Sequence, residues 1–244
     1  VYLHVGTSGY SYKEWRGPFY PEDLAAKDML SWYGGQLNAV EINNTFYRMP
    51  TVPVLEGWAA QVPRDFRFSV KASQKITHRR RLKDAEEETQ YLVRTLSALG
   101  PRLGVVLFQL PPNLKVDMDR LTAFLGTLPR ELPVAFEFRH ESWKDDSVAD
   151  ALRSHGAALC CADTDDGETD EPLVGTAAHG YLRLRRPGYT DQDLGRWAGR
   201  VLAQPWERAF VFFKHEDAGA GPRMARRFLE IASSGKGGRG PLHS

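Results

Sequence analysis

Cysteine is nearly absent from the 244 residues: there are two, Cys160 and Cys161. Adjacent positions on a strand point to opposite faces, so the pair cannot staple the chain and fits a reducing compartment. An excess of charge of one sign is missing as well. Lys and Arg number 32 against 31 Asp and Glu, for a formal net charge of +1, which argues against a broad nucleic-acid-binding face while leaving room for a local one. No window approaches the roughly 18–20 consecutive apolar residues of a spanning helix, and the first ten residues lack the basic-then-apolar layout of a secretory signal. These absences make the cytoplasm the expected location and exclude a membrane partner. A GxGxxG turn, a Walker loop and a GxSxG elbow are also missing, which disfavours dinucleotide binding, P-loop chemistry and a hydrolase serine. The histidines, His4, His78, His140, His155, His179, His215 and His243, show no HxH or HExxH spacing. Lys71, Arg139 and Lys214 would repel a divalent ion placed among them, so neither a metal nor a cofactor is expected.

What is present is the composition of an ordinary globular domain, 42% hydrophobic and 26% charged, long enough to bury a core without disulfide or metal. Short strand-like runs alternate with amphipathic stretches from end to end, with no linker to divide them. The spacing predicts strands at 3–7, 39–43, 67–72, 105–110, 134–139, 157–162, 181–185 and 209–213. Helices are expected at 24–34, 53–61, 84–99, 119–128, 147–155, 191–203 and 221–232, with acidic starts at Asp119 and Asp191. The segment 163–180, rich in Asp, Thr and Gly, reads as a loop where a helix has degraded. Residues 233–244 read as a flexible Gly/Ser-rich tail. Eight strands imply an α/β fold, a single-domain, somewhat irregular TIM-type (β/α)8 barrel over residues 1–232; the rival is a doubly wound open sheet.

Strand phase separates these two, because central strands of a doubly wound sheet are covered on both faces and read as continuous apolar runs. Here Phe66, Phe68, Val70 and Ala72 oppose Arg67, Ser69 and Lys71. Likewise Val134, Phe136 and Phe138 oppose Ala135, Glu137 and Arg139, and Leu182 and Leu184 oppose Tyr181, Arg183 and Arg185. A barrel with its polar set inward explains this, and barrel enzymes keep their sites at the strand C-termini. The inward set expected there is Glu41, Asn43, Lys71, Ser73, Gln109, Glu137, Arg139, Asp163, Arg183, Arg185 and Lys214. Buried charges cost several kcal/mol each, roughly, unless paired, wet or met by a ligand. A self-satisfied ion network is therefore the rival of a binding site. Cations outnumber carboxylates in this set, which favours a site for an anion.

Loops add Thr7 and Ser8 after the first strand, Phe46, Tyr47 and Arg48 after the second, His78 with Arg79, Arg80, Arg81 and Lys83 after the third, and Trp143 after the fifth. The aromatics suit stacking on sugars or bases, and equally suit packing on the barrel.

The strings GTSGYSYKEWRGPFYP, EINNTFYRMP, FSVKASQKITH, LGVVLFQLPPNL, VAFEFRHESW, LRLRRPGY and FFKHED, in this order, resemble the YecE-like family, domain of unknown function 72. The resemblance covers about residues 3–231 and implies a TIM-type barrel without supplying a reaction. The family's motifs fall on Glu41, Asn43, Lys71, His78, Gln109, Glu137, Arg139, Trp143 and Arg183. Its barrel is similar in outline to endonuclease-IV-type and sugar-isomerase-type barrels, which use His, Asp and Glu around metals where this chain offers Lys and Arg.

Two functions are expected to compete. The first is an enzyme on a small anionic, phosphorylated or sugar-like substrate, with Glu41, Lys71 and Glu137 carrying acid/base chemistry. Asn43, His78, Gln109, Arg139, Trp143, Asp163, Arg183 and Lys214 would then hold the phosphate-like anion. The alternative is a nucleic-acid-binding protein or endonuclease-IV-like nuclease, with the 78–83 loop on phosphates and aromatic loops on bases.

Overall fold

The computed structural model describes residues 1–163, 172–214 and 217–235. Its strands are β1 (Tyr2–Ser8), β2 (Ala39–Ile42), β3 (Arg67–Lys71), β4 (Leu103–Gln109), β5 (Val134–Glu137), β6 (Ala158–Asp163), β7 (His179–Leu184) and β8 (Arg208–Phe213). Each pairs in parallel with its sequence neighbours, and β8 closes on β1. The barrel anticipated from strand count and phase is therefore the observed architecture. One irregularity is a register shift between Phe68 and Val70 where β3 pairs with β4.

Around the ring lie α1 (Met29–Gly34), α2 (Val52–Ala60), α3 (Glu86–Leu96), α4 (Met118–Thr127), α5 (Asp146–His155), α6 (Asp191–Leu202) and α7 (Ala220–Ser234). Two caps differ from the sequence expectation by one or two positions. Asp117, not Asp119, accepts the Arg120 amide at the start of α4. Thr190, not Asp191, caps α6, where Asp193 completes a reciprocal capping box. In both, the capping oxygen must come from the extended residue before the first turn, which is where Asp117 and Thr190 sit. The connection between β6 and β7 has no helix or strand over residues 172–178. Residues 164–171, and 236–244 of the anticipated tail, lie outside the described residues.

Period-2 alternation divides the core in two. Ala39, Val105, Leu107, Ala135, Ala158, Tyr181, Phe210 and Phe212 fill the barrel interior. Val40, Phe68, Val70, Phe108, Phe136, Leu182, Val211 and Phe213 pack against the helix ring. Close strand approach matters at Gly6, where an added Cβ would lie 1.8 Å from the Ala39 carbonyl oxygen. Glycine there lets β1 lie against β2 in the register that sets Ser8 opposite Glu41. Above the apolar interior, the inward parity places Glu41, Lys71, Gln109, Glu137 and Arg183 at the C-terminal strand ends.

Candidate anion-binding site

The floor of the barrel mouth is a guanidinium held between two carboxylates. Arg183 donates from Nη2 and Nε to Glu41 Oε1 at 2.9 and 3.2 Å, and from Nη1 to Glu137 Oε2 at 2.7 Å. The Arg183 and Glu137 side chains are each 4% exposed, and that of Glu41 is 0%. Glu41 also accepts from Ser8 Oγ at 2.8 Å, Asn43 Nδ2 at 3.0 Å and Tyr181 OH at 2.7 Å. Burial alone would raise the Glu41 carboxyl, but Arg183 and these hydrogen bonds outweigh it and hold the group below its usual range. Arg183 stays protonated, raised by both carboxylates against the cost of burial. Burial, and then Glu41, push the Tyr181 phenol well up, so it serves as a donor. Glu41 accepts these hydrogen bonds on both oxygens and has no exposure, so it acts on a ligand through Arg183.

A second layer rises from this floor toward solvent. Lys71 Nζ donates to Gln109 Oε1 at 2.7 Å, and Gln109 Nε2 donates onward to Glu137 Oε1 at 2.9 Å. Glu137 also accepts from Arg139 Nε at 3.3 Å and Arg185 Nη2 at 3.4 Å. Arg139 is 37% exposed, and among the described residues it makes no other hydrogen bond. Lys71 lies 4.2 Å from the centroid of the Phe46 ring, a cation–π contact. Its amine is lowered to about 8, by burial first and then by Arg183, with Glu137 and Glu41 opposing. His78 meets the same Phe46 ring edge-on at 4.8 Å and shares a hydrogen bond with Thr77 Oγ1 at 2.9 Å. Burial, then Lys71, Arg139 and Arg81 lower its imidazole, so it is neutral at pH 7.

Glu41, Asn43, Lys71, Gln109, Glu137, Arg139 and Arg183 are thus one connected assembly, with His78 beside Lys71. Three other sequence candidates lie apart from it. Asp163 has the parity of Cys161 rather than Cys160, and it accepts from Tyr189 OH at 2.6 Å and Arg186 Nε at 2.8 Å. Trp143 is buried, donates from Nε1 to the Leu114 carbonyl at 2.7 Å and stacks on Phe138 at 4.4 Å, which makes it a plug against the barrel. Lys214 is exposed just beyond β8, and its amide donates to the Leu184 carbonyl. The neighbouring His215 lies outside the described residues. Tyr181 was missed as a site residue, although it sits two positions before Arg183 on the same strand face.

Among the described residues, no group of three or more His, Cys, Asp and Glu side chains is arranged to hold a metal ion. No helix among them is long and apolar enough to cross a membrane. Residues 4–241 match the family model described as "Protein of unknown function DUF72". The chain is 35% identical to the UPF0759 protein YecE of Escherichia coli K12 over 113 residues, and this match spans 46% of the chain and 41% of that relative's length. It is 24% identical to the UPF0759 protein YunF of Bacillus subtilis across 94% of both chains. A crystal structure of a DUF72 family protein from Thermotoga maritima superposes with a TM-score of 0.85 at 26% identity, covering 96% of this chain and 100% of that one.

Proposed function

Given that the chain belongs to the DUF72 family, whose description assigns no reaction, we propose that it is an enzyme binding a small anionic, phosphorylated or sugar-like substrate at the barrel mouth. The observation that carries this reading is the charge balance of the two layers. Both carboxylates are engaged with Arg183 in the floor, while Lys71 and Arg139 add two cations above it; among the described residues Arg139 pairs with no carboxylate but Glu137, and Lys71 with none. Clustered cations at partly buried positions repel one another, and an anion relieves that repulsion. The planar guanidinium of Arg139 suits a phosphate or carboxylate. Lys71 is the accessible group whose proton is available near neutral pH, so it takes the acid/base role. Glu41 and Glu137 position the cations around it.

Phosphate titrated against thermal unfolding tests this reading. At about ten times its dissociation constant, phosphate should stabilise the fold by about 1.4 kcal/mol, or roughly 3–6 °C. The shift should saturate and should weaken in Arg139→Ala. A shift that grows without saturation and is equal in wild type and variant would be a general salt effect and would remove the pocket's function.

The nucleic-acid reading draws on the exposed Arg79, Arg80 and Lys83 after β3 and on Tyr47, which is 75% exposed beside the mouth. Arg80 is already paired with Glu88. Fluorescence anisotropy with a labelled single strand separates the two: binding with a steep salt dependence would favour the nucleic acid.

A further inference from the structure

Lys71 is surrounded unlike a structural lysine. Among the described residues no carboxylate lies within ion-pair distance of its Nζ, because Glu41 and Glu137 are taken up by arginines. Its hydrogen-bond partner is the neutral carbonyl of Gln109, which is fixed in orientation because the Gln109 amide nitrogen is held by Glu137. A neutral acceptor serves an amine in either protonation state, whereas a carboxylate would hold the charged form. The Phe46 ring covers one side of the side chain at 4.2 Å, and Arg139 and Arg183 crowd it with positive charge.

From this geometry we propose that Lys71 is an amine nucleophile that forms a Schiff base with a small aldehyde or ketone carrying a phosphate or carboxylate group. The proposal rests on the anion pocket argued above and names the substrate class and the covalent step. The lone pair of neutral Nζ attacks the carbonyl carbon, forming the C–N bond as the C=O π pair moves to oxygen; the oxygen takes up one proton and the now cationic nitrogen releases one, giving a neutral carbinolamine. The C–O bond then breaks, oxygen leaves as water with a second proton, and the nitrogen lone pair forms the C=N bond. The net change is amine plus carbonyl plus one proton to iminium plus water, with no change of oxidation state. His78, neutral and against the same Phe46 ring, is placed to pass protons between the leaving oxygen and solvent. Lowering of the amine to about 8 leaves a substantial unprotonated fraction at neutral pH, as amine catalysis requires.

The test is reductive trapping on the full chain. Glyceraldehyde 3-phosphate and sodium cyanoborohydride are added at pH 7.5, and modified lysines are quantified by peptide mass mapping, with uncharged glyceraldehyde as the control. Lys71 should be alkylated at least about tenfold faster than exposed Lys13, Lys75 or Lys115, because its amine is lowered to about 8 and it lies in the anion pocket. The rate should rise with pH about a midpoint near 8, and sulfate should suppress the reaction of the phosphorylated probe more than that of glyceraldehyde. Lys71→Met, which keeps an apolar stem over Phe46, should lose the fast adduct. Label spread over exposed lysines with Lys71 no faster, while phosphate still stabilises the fold saturably, would overturn the Schiff base and leave the anion pocket standing. Absence of both effects would overturn both readings.

Discussion

Arg183 donates twice to one oxygen of Glu41, from Nη2 at 2.9 Å and Nε at 3.2 Å, in a place where neither side chain is more than 4% exposed. A buried guanidinium needs this neutralisation continuously, whatever ligand sits above it. Glu41→Gln should therefore cost about 3–5 kcal/mol, the range for breaking a buried pair. Urea unfolding at pH 7 checks it: the midpoint should fall at constant slope. A loss below about 1 kcal/mol would mean that the pair is no more than a surface ion pair in effect.

Glu137→Gln should behave differently. Arg183 keeps Glu41 as counter-ion, and a glutamine carbonyl can still accept from Gln109 or Arg183, so the loss should be smaller than for Glu41→Gln. The variant removes one negative charge beneath Arg139, Arg185 and Lys71, so phosphate should bind more tightly to it than to wild type. Weaker phosphate binding by calorimetry would contradict the assignment of Glu137 as a positioning counter-ion.

At the opposite end of the barrel, His4 is 2% exposed, stacks on Phe210 at 4.7 Å and has no partner for Nδ1 among the described residues. Burial, then Arg67 and Arg208, lower its imidazole to about 3. Below pH 6.5 the unfolded chain binds a proton there that the folded chain refuses. Stability tied to His4 is thus complete above 6.5 and lost as pH falls toward 3, by about 3 kcal/mol between pH 7 and pH 4. His4→Phe keeps the stack and should flatten that part of the stability–pH curve. An unchanged curve would exclude His4 as its source.

The strand phases made the barrel legible because every second residue of β3, β5 and β7 is apolar and every other one polar or small. The same parity puts Lys71, Glu137 and Arg183 together on the inner face. It did not reach Asp163, because residues 158–162 of that strand, ALCCA, are apolar on both faces and carry no alternation from which to read the side of Asp163. It failed at Trp143 because a loop residue carries no period, so whether an indole stacks on a ligand or on Phe138 depends on packing. The inward excess of cations was visible in the residues that share the inner strand face, although the whole chain is nearly balanced in charge. That Glu41 and Glu137 would both be consumed by Arg183, leaving Lys71 beside a neutral amide, depends on side-chain reach across the barrel, which spacing along the chain does not contain.

A crystal of the protein soaked in phosphate offers the sharpest comparison of a ligand pocket with a closed ion network. The ion should appear at the C-terminal mouth, within hydrogen-bond distance of Lys71 Nζ and the Arg139 or Arg185 guanidinium, with the Glu41–Arg183–Glu137 floor unchanged. Phosphate absent from the mouth at saturating concentration, or found only at the opposite end near Arg67 and Arg208, would contradict an anion-binding site at the strand C-termini.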